Sequence, residues 1–187
     1  MIRFPGYLGV GGALLLAAGT WWLAYEGTKE PEYEPQPNSP DFHLERFTAT
    51  TMGRDGKPDK RLSAERMVHY PADDRTELTQ PRMTVFDEDR PPWHIRSETG
   101  WVSGDREIVL LNGEVKIDRS AAEGIRPLHL TTRNLRIQPE QNYAETDEYV
   151  YAESDDNWVE SIGMQAWLKK PMRIKLLAKV RGRYEVE

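Results

Sequence analysis

The chain has 187 residues, no cysteine and a formal net charge of −6 at pH 7. This length accommodates one domain with appendages. The negative charge argues against a nucleic-acid-binding protein, because phosphate contacts require a basic surface. The lack of cysteine excludes a disulfide framework, a thiolate zinc site and a thiol nucleophile.

The first element along the chain is an uncharged apolar run, Tyr7–Tyr25. As a helix this run spans about 28 Å, close to the thickness of a bilayer core. Aromatic residues at its two ends suit the membrane interfaces, while Arg3 precedes the run and acidic residues follow it. The run predicts one transmembrane helix at 7–25, with residues 1–6 in the cytoplasm and the rest of the chain exported.

The alternative for this run is a signal peptide, since Ala17-Ala18-Gly19 offers small residues near a possible cleavage site. The apolar run continues past that point into Trp21 and Trp22, which favours a retained helix. Small residues in a membrane helix permit close approach to other helices. Four glycines are expected to serve this packing: Gly9, Gly11, Gly12 and Gly19.

A linker and a β-rich body follow. Residues 26–41 are rich in proline and acidic residues and lack apolar periodicity, which predicts an extended linker. From 42 to 187, short runs of alternating apolar and polar residues are separated by turn sequences such as Gly104-Asp105 and Asn112-Gly113. This pattern is typical of β-strands, and no convincing amphipathic helical window interrupts it. We therefore predict a mostly β domain over 42–187.

The runs repeat along the body. Leu62, Ile95 and Leu130 occupy similar places in three short stretches and lie 33 and 35 residues apart. A period of this size, with two strands per unit, predicts strand pairs stacked into an open roll with free edges. The second strand of each unit has its own equivalent positions: Pro81, Gly113 and Asp147.

The acidic stretch Asp87-Glu88-Asp89 is the first candidate for a chemical site. Carboxylate oxygens bind hard cations, but no glycine-containing calcium-loop pattern surrounds these residues. Consecutive residues in such a stretch also point in different directions, and Asp and Pro favour turns for backbone reasons. The stretch is therefore interpreted as a bend between two strands.

Catalytic motifs are absent from the sequence. The four histidines (His43, His69, His94 and His129) have no metal-binding spacing. No nucleophile elbow, Ser-x-x-Lys pair or glycine-rich phosphate loop is present. We expect a protein that is not an enzyme and that uses no metal or cofactor.

Charge is unevenly distributed towards the C-terminus. Residues 140–160 contain acidic residues and no Lys or Arg, whereas residues 169–183 contain basic residues and no Asp or Glu. The basic run has two interpretations that the sequence leaves open. It is either the solvated face of a strand or a surface for anionic head groups, with which Arg and Lys pair strongly.

The stretch TQPRMTVFDEDRPPW (79–93) resembles the LptC family of lipopolysaccharide export proteins. Further similar stretches are LNGEV (111–115), LTT (130–132) and KVRGRYE (179–185). The resemblance covers nearly the whole chain and is strongest from 78 to 117. It implies a bitopic inner-membrane protein whose periplasmic domain is an open, twisted β-jellyroll.

The resemblance also implies a function and partners. The periplasmic domain would receive lipopolysaccharide from an ABC transporter and pass it to the next bridge protein. The membrane helix would associate with the permease subunits and influence the ATPase cycle. The implied partners are lipopolysaccharide, the permease subunits LptF and LptG with the LptB ATPase, and the periplasmic protein LptA.

Inward-facing positions on the strands are then expected to line an apolar groove for acyl chains. A one-residue shift of register would move a strand's whole set to the other face. The residues themselves leave two alternatives, a structural adaptor that joins proteins through β-edges and a hydrolase on a β-scaffold. The expected groove positions are Phe47, Leu62, Ala64, Leu78, Met83, Val85, Ile95, Val115, Ile117, Leu130, Ile137, Tyr149 and Ile174.

The last strand, at about Ile174 to Tyr184, is expected to present a free edge to the downstream partner. Its basic residues would deter self-pairing and admit an acidic edge. The positions expected to contact the partner are Ile174, Leu176, Val180 and Tyr184.

Overall fold

The computed structural model describes residues 39–185, except 89 and 170. The predicted transmembrane segment, its glycines and nearly all of the linker lie outside these residues. Among the described residues, no helix is long and apolar enough to cross a bilayer. The described chain is one antiparallel sheet, which confirms the prediction of a mostly β domain. Its ten strands are β1 (Phe42–Met52), β2 (Pro58–Tyr70), β3 (Arg75–Thr79), β4 (Arg82–Val85), β5 (Trp93–Val102), β6 (Val109–Arg119), β7 (Leu128–Gln138), β8 (Tyr143–Ser154), β9 (Asn157–Trp167) and β10 (Arg173–Arg183).

Except for β3 and β4, strands that are consecutive in sequence are neighbours in the sheet. The order is β1-β2-β3-β5-β6-β7-β8-β9-β10, and β4 lies beyond the end of β3, between β2 and β5. β3 and β4 therefore act as two halves of one interrupted strand. Within the described residues, β1 pairs with β2 and β10 pairs with β9, so neither outer edge has a partner strand.

The long strands are interrupted near their middle. Register shifts fall between Leu111 and Glu114 in β6 and at matching places in the pairs that follow. A bulge bends its strand and increases the local twist. Because the residues flanking one interruption pair with those flanking the next, the interruptions form a line along which the sheet bends. Left-handed φ angles mark this line at Arg46, Gln80, Gly113, Asn134, Gly163 and Lys179.

The repeat positions have a clear structural meaning. Leu62 and Ile95 both pair with Met83, and Ile95 connects through Ile117 to Leu130, so all three first-strand positions lie in one row. The second-strand positions, Pro81, Gly113 and Asp147, lie at the interruptions. The interpretation of Asn112-Gly113 as a turn between strands is wrong, since both residues lie inside β6. The φ of +78° at Gly113 serves a bulge.

We call the sheet face that carries this row the inner face. Directly paired residues point to the same side, so successive pairs define rows across the sheet. The row through Leu62 continues to Ala152 and Val159, and a second row ends with Ala144, Ala166 and Ile174. The buried core lies in the middle of the inner face, on β6 to β9. It consists of Leu111, Val115, Leu130, Leu135, Ala144, Val150, Met164 and Ala166.

Candidate functional site: the inner face and the two edges

Most of the expected groove residues lie on the inner face. Four are buried: Ala64, Leu78, Val115 and Leu130. Phe47 pairs directly with Ala64, Leu62 with Met83, and Ile137 with Ala144, which connects these half-buried residues to the same rows. The half-buried positions are Phe47, Leu62, Met83, Val85, Ile95, Ile117 and Ile137.

Tyr149 lies on the outer face, contrary to the expectation. Its neighbour Val150 is buried, whereas Tyr149 is 47% exposed and pairs with the exposed Ile162. The Tyr149 hydroxyl donates a hydrogen bond to Glu160 Oε2 at 2.7 Å. In the sequence Tyr-Val-Tyr, alternate side chains point to opposite faces. The prediction placed the tyrosine on the inner face, but the valine lies there instead.

Ile174 lies on the inner face but at its edge. It pairs with the buried Ala166, yet 45% of it is exposed because no strand covers β10 from outside among the described residues. Ile174 is therefore the last residue of a row that begins at β1.

Several core residues were not among the expected groove positions. Leu111, Leu135, Val150, Met164 and Ala166 are all buried. The inward orientation of each of these residues could be predicted from alternation if the positions of the bulges were known. The alternating apolar pattern is present in the sequence, but the extra residue at each bulge shifts the alternation by one position, so that the inward residues change from odd to even positions or the reverse.

The acidic stretch is confirmed as the connection between β4 and β5. Glu88 forms an ion pair with Lys57 in the β1–β2 turn, with Nζ 2.8 Å from Oε1. Asp89 lies outside the described residues. Nowhere in the described part of the chain do three or more His, Asp or Glu side chains form a cluster that could hold a metal ion.

Two of the histidines flank one aspartate on the outer face. His94 and His129 are both cross-strand partners of Asp118, and His129 Nδ1 lies 2.8 Å from Asp118 Oδ1. Arg96 also approaches Asp118, at 3.6 Å. The group is a surface network around Asp118, in which Arg96 brings an opposite charge from the neighbouring strand, an arrangement that stabilises antiparallel pairing.

The C-terminal edge combines apolar and basic side chains. Leu176 is half-buried on the inner face, while the other residues expected to contact the partner are exposed. Arg181 is bound to Glu160 at 2.8 Å, and Arg183 is bound to Glu185. The remaining cations of the strand, Arg173, Lys175 and Lys179, form no ion pair within the described part of the chain. Three charges therefore remain available to a partner at this edge.

The N-terminal edge exposes large apolar residues as well. Phe42 and Leu44 are both more than 40% exposed on β1, and Met52 lies at the other end of the strand. Phe42 stacks on His69 with ring centroids 4.9 Å apart. Edge strands are normally protected by charge or proline, so exposed apolar side chains on β1 are consistent with an edge that receives a partner.

The bent sheet with an apolar inner face and two open edges is similar to the fold of one solved structure. The crystal structure of LptH, described as the LptA homologous periplasmic component of the lipopolysaccharide transport device from Pseudomonas aeruginosa, aligns with a TM-score of 0.53. The alignment covers 68% of this chain and 95% of LptH at 8% sequence identity. At this identity the similarity shows a common fold.

Sequence comparison defines the family. The model of the family described as "Lipopolysaccharide-assembly, LptC-related" matches residues 12–185. The chain therefore belongs to the LptC family. The lipopolysaccharide export system proteins LptC of Escherichia coli K12 and Shigella flexneri are each 23% identical to it over 151 residues. Those alignments cover 80% of this chain and 78% of each relative.

Proposed function

We propose that this protein is a lipopolysaccharide transport subunit. It receives lipopolysaccharide from an inner-membrane ABC transporter, holds the acyl chains against the apolar inner face and passes the lipid to the next bridge protein. Membership of the LptC family supports the general role in lipopolysaccharide transport. The observation that carries the finer proposal is the apolar row through Leu62, Ile95 and Leu130, which reaches from β1 to β10.

The size of the hydrophobic effect explains why such rows are needed. Burial of one methylene group contributes about 0.8 kcal/mol, so an acyl chain of roughly twelve carbons contributes on the order of 9 kcal/mol. A lipid with several chains leaves a bilayer only if another apolar surface replaces this burial or an external energy source drives the step. The chain has no nucleotide-binding motif, so the energy source is assigned to the LptB ATPase, through the permease subunits LptF and LptG.

The inner face is unevenly accessible, which suggests where the acyl chains enter. Val115 and Val150 in the middle of the core are fully buried, so this region is packed against itself. On β2, β4 and β5, in contrast, Leu62, Met83 and Ile95 are only half-buried. We place the first acyl-chain contacts at these strands, close to the β1 edge.

The two edges are assigned by their position in the chain. β1 follows the segment that we propose to anchor the protein in the inner membrane, so its edge faces the transporter. β10 is left for the downstream protein LptA. The helix at 7–25 would keep the N-terminus in the cytoplasm and pack against LptF and LptG through Gly9, Gly11, Gly12 and Gly19.

The packed core also favours a second candidate function. A structural adaptor that joins neighbours through its two edges would need an ordinary core and no lipid, and full burial of Val115 is compatible with this. The two functions differ in what touches the inner face during export.

Site-specific photocrosslinking in cells distinguishes them. A photoreactive residue at Ile117, on the inner face, should capture lipopolysaccharide, whereas the same residue at Lys116 on the outer face should not. Ile95 and the exposed His94 provide a second matched pair on β5. Capture at neither inner position, with normal assembly of the export complex, would establish the adaptor and refute lipid carriage.

A further inference from the structure

One end of the inner face carries a cation. The row next to Leu62, Ile95 and Ile117 contains Trp93 and Arg119, which pair directly across β5 and β6. Like its neighbours, this row lies on the inner face, because residues two apart on a strand share a face. We call it the terminal row. Its members are Lys60, Val85, Trp93, Arg119 and Leu128.

The Arg119 guanidinium lacks a counter-charge among the described residues. Its carbon lies 4.6 Å from the centre of the Trp93 ring, and Nη2 donates to the backbone oxygen of Arg126 at 3.3 Å. Nε is buried without any hydrogen-bond partner. No carboxylate lies within 4 Å of Arg119 in the described chain. One weak acceptor does not offset the free-energy cost of removing part of this charge from water.

The surroundings of Arg119 define which class of ligand would neutralise its charge. A guanidinium offers five N–H donors in a planar fork that matches carboxylate and phosphate oxygens. The apolar residues Ile117 and Ile95 lie in the adjoining row, so a ligand that satisfies Arg119 also meets apolar side chains. The ligand class that fits both features is an amphiphile with an anionic head group and acyl chains.

We propose that Arg119 binds the phosphate of a lipid head group, with Trp93 holding the guanidinium in place, and that the acyl chains lie over the half-buried residues Ile117, Ile95 and Met83 in the adjoining row, beside the packed core. This inference rests on the proposed function, since it assigns a direction to the lipid on the inner face. Lys60, in the same row, adds a second cation whose nearest carboxylate, that of Asp59, is 3.9 Å away.

The test uses the purified full-length chain and two diacyl lipids with identical chains and a photoreactive group at the chain end. One lipid has a phosphate monoester head and the other has a hydroxyl head. The wild-type protein should capture the phosphate lipid about tenfold more strongly, the change expected for one charge-assisted interaction. Arg119→Met should abolish this preference, and Arg119→Lys should keep part of it.

Arg61 provides the matched control. It is also an arginine over an aromatic ring, that of Phe86 at 5.5 Å, but it lies on the outer face beside Leu62. Arg61→Met removes the same charge and should leave the preference unchanged. An equal loss in both variants would mean that net charge, rather than a site at Arg119, governs capture, and would overturn the proposal.

A second measurement serves if Arg119→Met does not fold. A phosphate lipid with its photoreactive group on the head should label wild-type peptides that contain Trp93, Arg119 or Leu128. Labelling confined to the opposite end, at Val109 and Ile137, would overturn the proposal. Inorganic phosphate at constant ionic strength should not displace the lipid; displacement would indicate a free-phosphate site instead.

The outcomes separate the inference from the function on which it rests. Equal capture of both lipids by the wild-type protein would refute a head-group site at Arg119 and leave lipid carriage standing. Capture of neither lipid would refute lipid carriage itself, and the inference with it.

Discussion

His69 on β2 is bound to Asp41, the residue that leads into β1, with His69 Nδ1 2.7 Å from Asp41 Oδ1. The other ring nitrogen lies 2.8 Å from Asp74 Oδ1 in the β2–β3 turn. The imidazole therefore joins the start of the edge strand to the body of the sheet. Nearby, Arg75 forms ion pairs with Asp73 and Glu77.

The first prediction concerns the pH dependence of this contact. The hydrogen bond to Asp41, followed by that to Asp74, raises the pKa of His69 above 6.5. A raised pKa in the folded state stabilises the fold below pH 6.5, and this stabilisation is lost as the pH rises through the folded-state value. The same contact lowers the pKa of Asp41 below 3.8, so its contribution is lost only as the pH falls through that lower value. The contact should be strongest between these two limits.

Hydrogen exchange of the amides at the start of β1 measures this effect. After correction for intrinsic exchange, the protection of Phe42 to Leu44 should fall between pH 6 and pH 8.5. His69→Gln should remove the pH dependence and leave β1 weakly protected throughout. As a control, His43→Gln changes an exposed histidine on β1, and this variant should show the same pH dependence as the wild type. A pH-independent wild-type β1 would contradict the prediction.

The second prediction concerns Gly163 in the line of bulges. Its φ is +79°, and a Cβ built there would lie 2.9 Å from the Leu177 side chain on β10. Gly163→Ala should combine a backbone cost of about 1–2 kcal/mol with displacement of Leu177. The free energy of unfolding should fall by roughly 2–3 kcal/mol, as measured by urea denaturation.

Gly56 separates the two contributions to this effect. It has the same φ of +79°, but nothing lies within 4 Å of a Cβ built there. Gly56→Ala should therefore show the backbone cost alone. Equal destabilisation by the two substitutions would mean that Leu177 adjusts without cost and that the close contact at β9 and β10 does not matter.

The third prediction tests whether the inner face is a real core in the lipid-free protein. Leu135 is only 2% exposed and belongs to the buried cluster. Leu135→Ala should lower the free energy of unfolding by about 2–5 kcal/mol through lost burial and the remaining cavity. Leu168, at 46% exposed, is the control, and Leu168→Ala should change the stability by less than about 0.5 kcal/mol. A similarly small effect at Leu135 would show that the inner face is loosely packed.

The strand pattern could be predicted from sequence because alternation survives within each half of a strand. Leu62, Ile95 and Leu130 were recognised as equivalent, and they lie in one row of the sheet. The row is set by side-chain alternation and strand spacing, both of which the sequence records. Belonging to one row, however, does not reveal which residues come to lie opposite each other when the sheet bends.

The bulges could not be predicted in the same way. Arg46, Asn134 and Lys179 adopt left-handed φ angles, although none is glycine and no local motif marks Arg46 or Lys179. Such conformations are imposed by the pairing of neighbouring strands. The assignment of Tyr149 to the inner face shows the consequence, because beside a bulge the phase of alternation depends on one residue.

The role of Arg119 also escaped the sequence. It follows Ile117 by two residues, so its face was available from alternation, but its isolation from carboxylates is a property of three strands. The histidines are similar. In the sequence, His69 was grouped with the other three histidines because none has a metal-binding spacing, and only the folded chain brings Asp41 and Asp74 to its two nitrogens.

The fourth prediction concerns capture of the downstream partner by β10. Deletion from Ile174 onward should abolish this capture while the membrane-side complex still assembles, but it also uncovers the buried Met164 and Ala166. Charge reversal at Arg173, Lys175 and Lys179 leaves the strand in place and removes the charges available to an acidic edge. Three exposed pairs at roughly 0.5 kcal/mol each predict about a tenfold weaker interaction, most of it lost in high salt. Pulldown of the partner under low and high salt measures this effect.

The control reverses three exposed arginines on strands other than β1 and β10, namely Arg61, Arg66 and Arg82 on β2 and β4. This variant changes the net charge by the same amount and should still capture the partner at the wild-type level. Because Arg181 is already neutralised by Glu160, it is left unchanged in both variants. Wild-type capture by the deleted protein would place the downstream contact elsewhere on the sheet, and an equal loss in both triple variants would assign the effect to net charge.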